Sequence, residues 1–305
     1  MSPLSPPQYL RLQPHPFSIL PDHVSLRHSP SRPPLRDFLH VILTEAQSFV
    51  TAIPTTFHPT RKPRPSPPAA ALVHLSTCSL PDVPSGVGTK KKPGSNFWIC
   101  RTSVHENAAH DGTASWAEFR AGLRESHSVH EMEYTPSVSA VETLLEWPTQ
   151  TEIEGGWQRV IVHAPRSFIV LVVSADRPGG DQSGFMTVQI PLSPEAEPAD
   201  ALPDLCRAIS AAQPSKAVLA SYSSVEQVSP TRSDAVTDAV TWTMATTSEA
   251  GGAIPGWVQR SWTLGGAPKA VVADVGLFLG WTSRKRSSRG TCLHEDHSQA
   301  AERRL

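Results

Sequence analysis

The run Val240–Trp281, VTWTMATTSEAGGAIPGWVQRSWTLGGAPKAVVADVGLFLGW, restricts the possible folds more than any other stretch. Val240, Trp242 and Met244 alternate with Thr241, Thr243 and Ala245, the period of a strand with one apolar face. Gly251 and Gly252 allow a sharp reversal, and Pro255 suits a first helical turn, where its missing N–H would have no partner anyway. Trp257, Val258 and Trp262, then Val271, Val275, Phe278 and Leu279, recur at helical spacing and form one stripe. Gly265-Gly266-Ala267-Pro268 predicts a break, so the helix that begins at Pro255 is read as two pieces in tandem.

Upstream, alternating or continuous apolar runs predict strands over Asn96–Val104, Glu131–Tyr134, Val141–Trp147, Trp157–His163, Arg166–Ala175, Phe185–Pro191, Ala217–Val228 and Val236–Thr246. Ser167–Val173 is apolar on both faces, so the sheet must be covered on both sides or line a cavity with one of them. The clearest helix lies before the strands. Leu35, Phe38, Leu39, Ile42, Leu43, Ala46, Phe49, Val50 and Ile53 keep one face, with Pro33 and Pro34 at the entrance and Pro54 closing it. It is expected outside the sheet or across its mouth. Ser115 and Glu118 form a capping box ahead of Trp116, Phe119 and Leu123.

Several words of the sequence, in order, resemble one family: FWICRTSVHENAAHDGTASWAEFRAGL, YTP at 134–136, FMTVQIP, YSSVEQV, WTMATTSEAGGAIPGWVQ and AVVADVGLFLGW. They are similar to a START-like family of fungal proteins that carries a domain of unknown function, over roughly Leu35–Trp281. The resemblance implies an α+β helix-grip fold, in which a curved antiparallel sheet wraps a C-terminal helix around an apolar cavity. It names no ligand. WQRVIVHAPRSF is several residues shorter than the corresponding family segment, and this bears on the sheet edge near His163–Arg166 and on any role for Arg166.

With 39% hydrophobic residues in 305, one domain with tails is the simplest division. Eighteen of the thirty prolines crowd into the first 34 residues and into Pro54–Pro93. That predicts a disordered Pro/Ser-rich segment at 1–33, a START-like domain at 34–282 with a Pro-rich insertion at 55–94 and a polar insertion at 193–214, and a disordered tail at 283–305. A formal charge of −1 gives no field that recruits nucleic acid. No apolar run approaches the ~20 residues that span a bilayer, and the N-terminus lacks a signal-peptide core. The four cysteines form no C-x-x-C pair, the pattern of reduced thiols. A cytoplasmic protein without a transmembrane segment is expected, one that can still touch a membrane peripherally.

The catalytic and metal motifs are weak. His105-Glu106-Asn107-Ala108-Ala109-His110 is one residue too long for a zinc helix, since five steps of about 100° turn the second imidazole about 140° away. ENAAHDG and GDQSG echo a serine protease, but Gln182 separates Asp181 from Ser183 and there is no G-x-S-x-G elbow. SGVGTKK lacks the P-loop order. No cofactor, catalytic residue or metal ligand is assigned. The candidates for a cavity wall are Trp98, Trp147, Trp242, Met244, Trp257 and Val258, with Arg101, Arg166, Tyr222 and Glu226 to orient a polar headgroup. A buried Arg–Glu pair that satisfies itself is the competing reading of the last group. The expectation is non-catalytic binding or transfer of a hydrophobic molecule, a lipid or sterol-like compound, in a space of about 300–1,000 Å³. The rivals are a cyclase- or hydrolase-like enzyme of the same architecture and a regulatory module with a filled core.

Overall fold

A computed structural model describes residues 7–26, 32–81, 95–136, 143–165, 169–180, 183–193, 207, 209, 221–231, 238–249, 260–263 and 265–302. Among the described residues nine strands form one curved antiparallel sheet. They are β1 (His58–Pro59), β2 (His74–Pro81), β3 (Ser95–Glu106), β4 (Thr143–Glu152), β5 (Gln158–Pro165), β6 (Val170–Asp176), β7 (Phe185–Pro191), β8 (Ser221–Thr231) and β9 (Ala239–Glu249). The order is β1-β2-β3-β9-β8-β7-β6-β5-β4, so the first hairpin is stitched to the last strand and the rest is a meander. At the β6–β7 turn Gly184 has φ +92°, and a Cβ there would lie 2.2 Å from the Val228 carbonyl oxygen in β8, so the close approach of the strands requires glycine.

Every residue of β6 and β7 is buried, because both faces of the sheet are covered. On one face Leu171, Val173, Met186, Val188, Val225 and Ala245 meet α1 (Leu35–Thr56), which contributes Phe38, Leu39, Ile42, Leu43, Ala46, Phe49 and Ile53. Pro54, expected to close α1, lies in its last turn, and the helix ends two residues later at Thr56.

The opening segment departs from its expected disorder. In residues 7–26, Leu10, Phe17, Leu20 and Leu26 are buried in the core beneath α1. Composition missed this because the anchors come from elsewhere in the chain. The Glu45 carboxylate accepts the backbone N–H groups of Gln8, Tyr9 and Leu10 at 2.8 Å each, and Arg32 donates to the carbonyls of Phe17, Leu20 and Leu26. The Pro-rich insertion likewise supplies β1 and β2 to the sheet edge.

The opposite, concave face is covered by three helical pieces. These are α2 (Trp116–Phe119) with a single π-turn at Arg120–Arg124, α3 (His127–Tyr134) and the long α4 (Ala267–Glu302). The Ser115–Glu118 capping box starts α2. The strand expected at Glu131–Tyr134 is instead the last turn of α3, whose residues answer to α4 and not to a neighbouring strand. The helix starts at the expected break, Gly265–Pro268, and continues through the expected tail. The Pro255 start and most of the 193–214 insertion lie outside the described residues. Phe278 on α4 packs within 5.3 Å of the ring centres of Phe119 and Trp242, which fastens the helix to the sheet.

A strap from the Pro-rich segment crosses the back of α4. The Ser66 hydroxyl donates to the Val272 carbonyl at 2.5 Å and accepts the Gly276 N–H at 2.8 Å. Those two backbone groups are the two ends of one i→i−4 step of the continuous helix, so Ser66 competes for both as a wedge.

Candidate functional site

Strand register assembles the site. Arg101 (β3) stands opposite Met244 (β9), Met244 opposite Glu226 (β8), Glu226 opposite Thr187 (β7) and Thr187 opposite Ser174 (β6). The neighbouring row on the same face is Thr246, Ser224 and Gln189. The strands therefore place polar residues in the middle of the concave face. His127, Glu131 and Tyr134 of α3 and Asp274 of α4 close over them, around a cavity of about 70 Å³.

Arg101 is 1% exposed. Its Nη2 lies 3.3 Å from Glu226 Oε1 and 3.7 Å from Met244 Sδ, and its guanidinium sits 3.9 Å above the Trp242 ring centre. Trp242 Nε1 donates to the same Glu226 oxygen at 2.6 Å. Arg101 Nε and Nη1 are buried with no hydrogen-bond partner. On the other side of the cavity His127 Nδ1 donates to the Leu123 carbonyl at 2.8 Å, which leaves Nε2 to accept from Gln189 Nε2 at 3.4 Å. Gln189 Oε1 in turn accepts from Ser224.

Acids outnumber bases here. Burial, with Glu131 and Glu226 nearby, holds the Asp274 carboxyl up at about 7 against the opposing pull of Arg101. Burial also raises Glu131, and it pushes Tyr134 and Tyr222 well above the ordinary phenol range. Asp274 and Glu131 keep some accessible surface, and both line the cavity.

Of the ten residues named from the sequence, Arg101, Glu226, Trp242 and Met244 line the cavity, while Tyr222 shares the face of Glu226 beside it. Trp98 and Trp147 do not belong to the wall. Trp98 packs on Phe49 of α1 (ring centres 4.6 Å apart), and Trp147 Nε1 donates to the Asp22 carbonyl in the N-terminal segment. Trp98 and Arg101 are three apart in one strand, an odd separation that sends them to opposite faces. Arg166, Trp257 and Val258 lie outside the described residues. His127, Glu131, Gln189 and Asp274 escaped the sequence reading. The only signal was the spacing of His127, Glu131 and Tyr134 on one helical face, hidden by the reading of that stretch as a strand.

Between sheet and α4 the cavity is smaller than the expected 300 Å³ or more, and an apolar groove of about 430 Å³ lies instead on the strap side of α4, against Pro65–Pro68 and Trp262. Phe119, Tyr134, Phe278 and Trp281 fill the apolar space under α4, which leaves a small and polar remainder. His105 and His110 do not share a site. His105 is buried in β3 with Nε2 2.8 Å from Ser103 Oγ and is held down to about 4 by burial, whereas His110 pairs with Glu106 on the surface. The Cys78 and Cys100 thiols are free and buried, and burial pushes both up.

A curved antiparallel sheet closed by a long C-terminal helix, with polar groups enclosed between them, makes this a helix-grip protein. A family described as "Protein of unknown function (DUF3074)" matches residues 98–282, more than half of the chain, and the chain belongs to that family. The resemblance read from the sequence, to a START-like family of unknown function, thus agrees with both family and fold. Two human structures align along most of the chain. StAR-related lipid transfer protein 5 aligns with a TM-score of 0.47 and 10% identity over 83% of this chain and 99% of that one. STARD10 aligns with 0.40 and 13% over 83% and 87%. No curated protein matches. Among the described residues no helix is long and apolar enough to cross a membrane.

Proposed function

We propose that this chain binds an amphipathic small molecule between sheet and α4 without transforming it. The ligand's polar end meets Arg101, Glu226 and Asp274, and its apolar part displaces the aromatic packing of α4. The observation that carries this reading is Arg101, fully buried at the cavity with two guanidinium nitrogens unpartnered. A buried cation with idle donors costs stability unless something repays it, and a ligand acceptor would do so. The cavity of about 70 Å³ takes only a headgroup, so a lipid-sized ligand requires α4 to move outward. The Ser66 wedge weakens the helix at Val272–Gly276, next to Asp274, and gives that movement a place to occur. Membrane delivery of such a ligand belongs to the same proposal.

Extraction of the purified protein and mass spectrometry of the apolar fraction test it, together with uptake of a fluorescent sterol and a fluorescent phospholipid. Binding of either, weakened by Arg101→Met, supports the reading; no extractable molecule and no uptake sink it. One observation favours a catalytic alternative. Asp274, held near neutrality beside His127 and Glu131, has the proton affinity of a general acid–base. Ligand recovered chemically altered by the wild type but unaltered by Asp274→Asn would decide for it.

A further inference from the structure

The donors and acceptors left idle around the Arg101 cavity specify the polar end of a ligand more narrowly than its volume does. Arg101 is 1% exposed, and its Nε and Nη1 are buried with no hydrogen-bond partner. Only Nη2 is engaged, by Glu226 Oε1 and Met244 Sδ. The guanidinium therefore calls for an acceptor. Across the cavity the shortage is reversed. Among the described residues none donates a hydrogen bond to the Asp274 carboxyl, and Glu226 receives Arg101 and Trp242 on Oε1 alone, which leaves Oε2 idle. Glu131 Oε2 stands 3.8 Å from His127 Nε2, too far for a good hydrogen bond.

The neighbouring polar side chains cannot make up the deficit, because they are engaged with one another. Thr187 Oγ1 lies 2.8 Å from Ser174 Oγ, Ser224 donates to Gln189 Oε1 at 2.7 Å, and Gln189 Nε2 reaches His127. Arg101 is close enough to pull on Asp274 electrostatically, yet no hydrogen bond joins the two, and both line the cavity. One guanidinium with idle donors thus faces three carboxyl groups, two of which have idle acceptors.

The charge of the ligand follows by elimination. A carboxylate or phosphate would satisfy Arg101, but it would lie against three carboxyls at low dielectric and leave their oxygens unpaired. An ammonium would satisfy the acids, but it would repel the guanidinium and leave Arg101 Nε and Nη1 idle. A hydroxyl does both, since it carries one donor and two acceptor lone pairs and brings no charge.

We infer that the polar end of the ligand is an uncharged hydroxyl, which accepts from Arg101 while it donates to Asp274 or Glu226. The cavity of about 70 Å³ admits a group of that size. This inference rests on the binding role proposed above and narrows it to alcohols, against carboxylates, phosphates and amines.

The test loads the full chain at pH 8, where Asp274 is ionised, with whichever fluorescent ligand it takes up, sterol or phospholipid. That ligand is then displaced by probes that share one chain and differ only at its end: n-decanol, decanoate, decylammonium and decyl fluoride. Decanol acts at about one tenth or less of the concentration that any of the others requires. The fluoride is the more apolar of the two uncharged probes, so partition into grease cannot give the alcohol its advantage. Asp274→Asn keeps a donor and an acceptor but loses the charge, and it lets decanoate gain on decanol by about tenfold. Decanol that does not displace the ligand, or that any other probe equals, overturns the inference and leaves the binding role standing. An unchanged decanol-to-decanoate ratio in Asp274→Asn also overturns it, and if that variant does not fold, the order of the probes on wild type carries the test. Uptake of neither fluorescent ligand overturns both readings.

Discussion

Gly276→Ala measures how firmly α4 is held down. A Cβ at that position would lie 2.3 Å from the Pro67 carbonyl oxygen, 2.7 Å from that of Ser66 and 2.9 Å from the Pro67 carbonyl carbon. All three are backbone atoms, so no side-chain rotation relieves the clash; either the strap retreats or the helix lifts. Forced overpacking costs about 1–3 kcal/mol. Retreat of Ser66 also breaks its two hydrogen bonds, each worth about 1 kcal/mol net. Alanine returns about 1 kcal/mol of helix propensity. The balance is a loss of about 2–4 kcal/mol, or about 4–16 °C of melting temperature for a domain of this size. Thermal and urea unfolding followed by circular dichroism read it directly. Ser66→Ala costs less, about 1 kcal/mol, because the freed Val272 and Gly276 groups can pair with each other. Since both changes act on one contact, the double variant falls short of the sum. A Gly276→Ala protein as stable as wild type, or strictly additive costs, would refute the wedge.

Three further outcomes follow from the cavity. Glu226→Ala strands Arg101 and costs about 3–5 kcal/mol in urea unfolding, and Arg101→Met with Glu226→Leu together recovers most of it; an equal loss in the pair would contradict the charge argument. Asp274 has a folded value of about 7 against an ordinary 3.8, so the folded state binds its proton more tightly. Its contribution is fullest below pH 4 and is lost as pH rises through 7, and Asp274→Asn is therefore more stable than wild type at pH 8, by about 1–3 kcal/mol, with the advantage fading toward pH 4. His15 and His163, held near 4 by burial, act in the opposite sense, losing stability as pH falls from 6.5 toward 4, so the difference between wild type and variant isolates Asp274. Finally, ligand-dependent tryptophan fluorescence disappears in Trp242→Phe and survives in Trp98→Phe; the reverse would place the ligand on the α1 face.

Local periodicity marked the elements. The stripe of α1, the alternation of β9, the capping box of α2 and the break ahead of α4 are all patterns within a few residues, and each occurs near its expected place. Where the reading went astray, the deciding contacts were distant ones. Residues 7–26 look unstructured by composition, yet Glu45 and Arg32 fasten their backbone. Glu131–Tyr134 reads as a strand, yet its surroundings are α4 and the cavity.

By itself the chain determined which residues are apolar, at what period, and so which face each strand residue takes; parity alone separates Trp98 from Arg101. Only the tertiary structure decided that Glu226, Asp274 and His127 converge on Arg101, because three strands and two helices have to close before their positions acquire distances. It also decided how much room was left. Volume is the difference between a shell and its filling, and four aromatic rings from α2, α3 and α4 occupy what the sheet encloses. The periodicity of a sequence carries no measure of that difference.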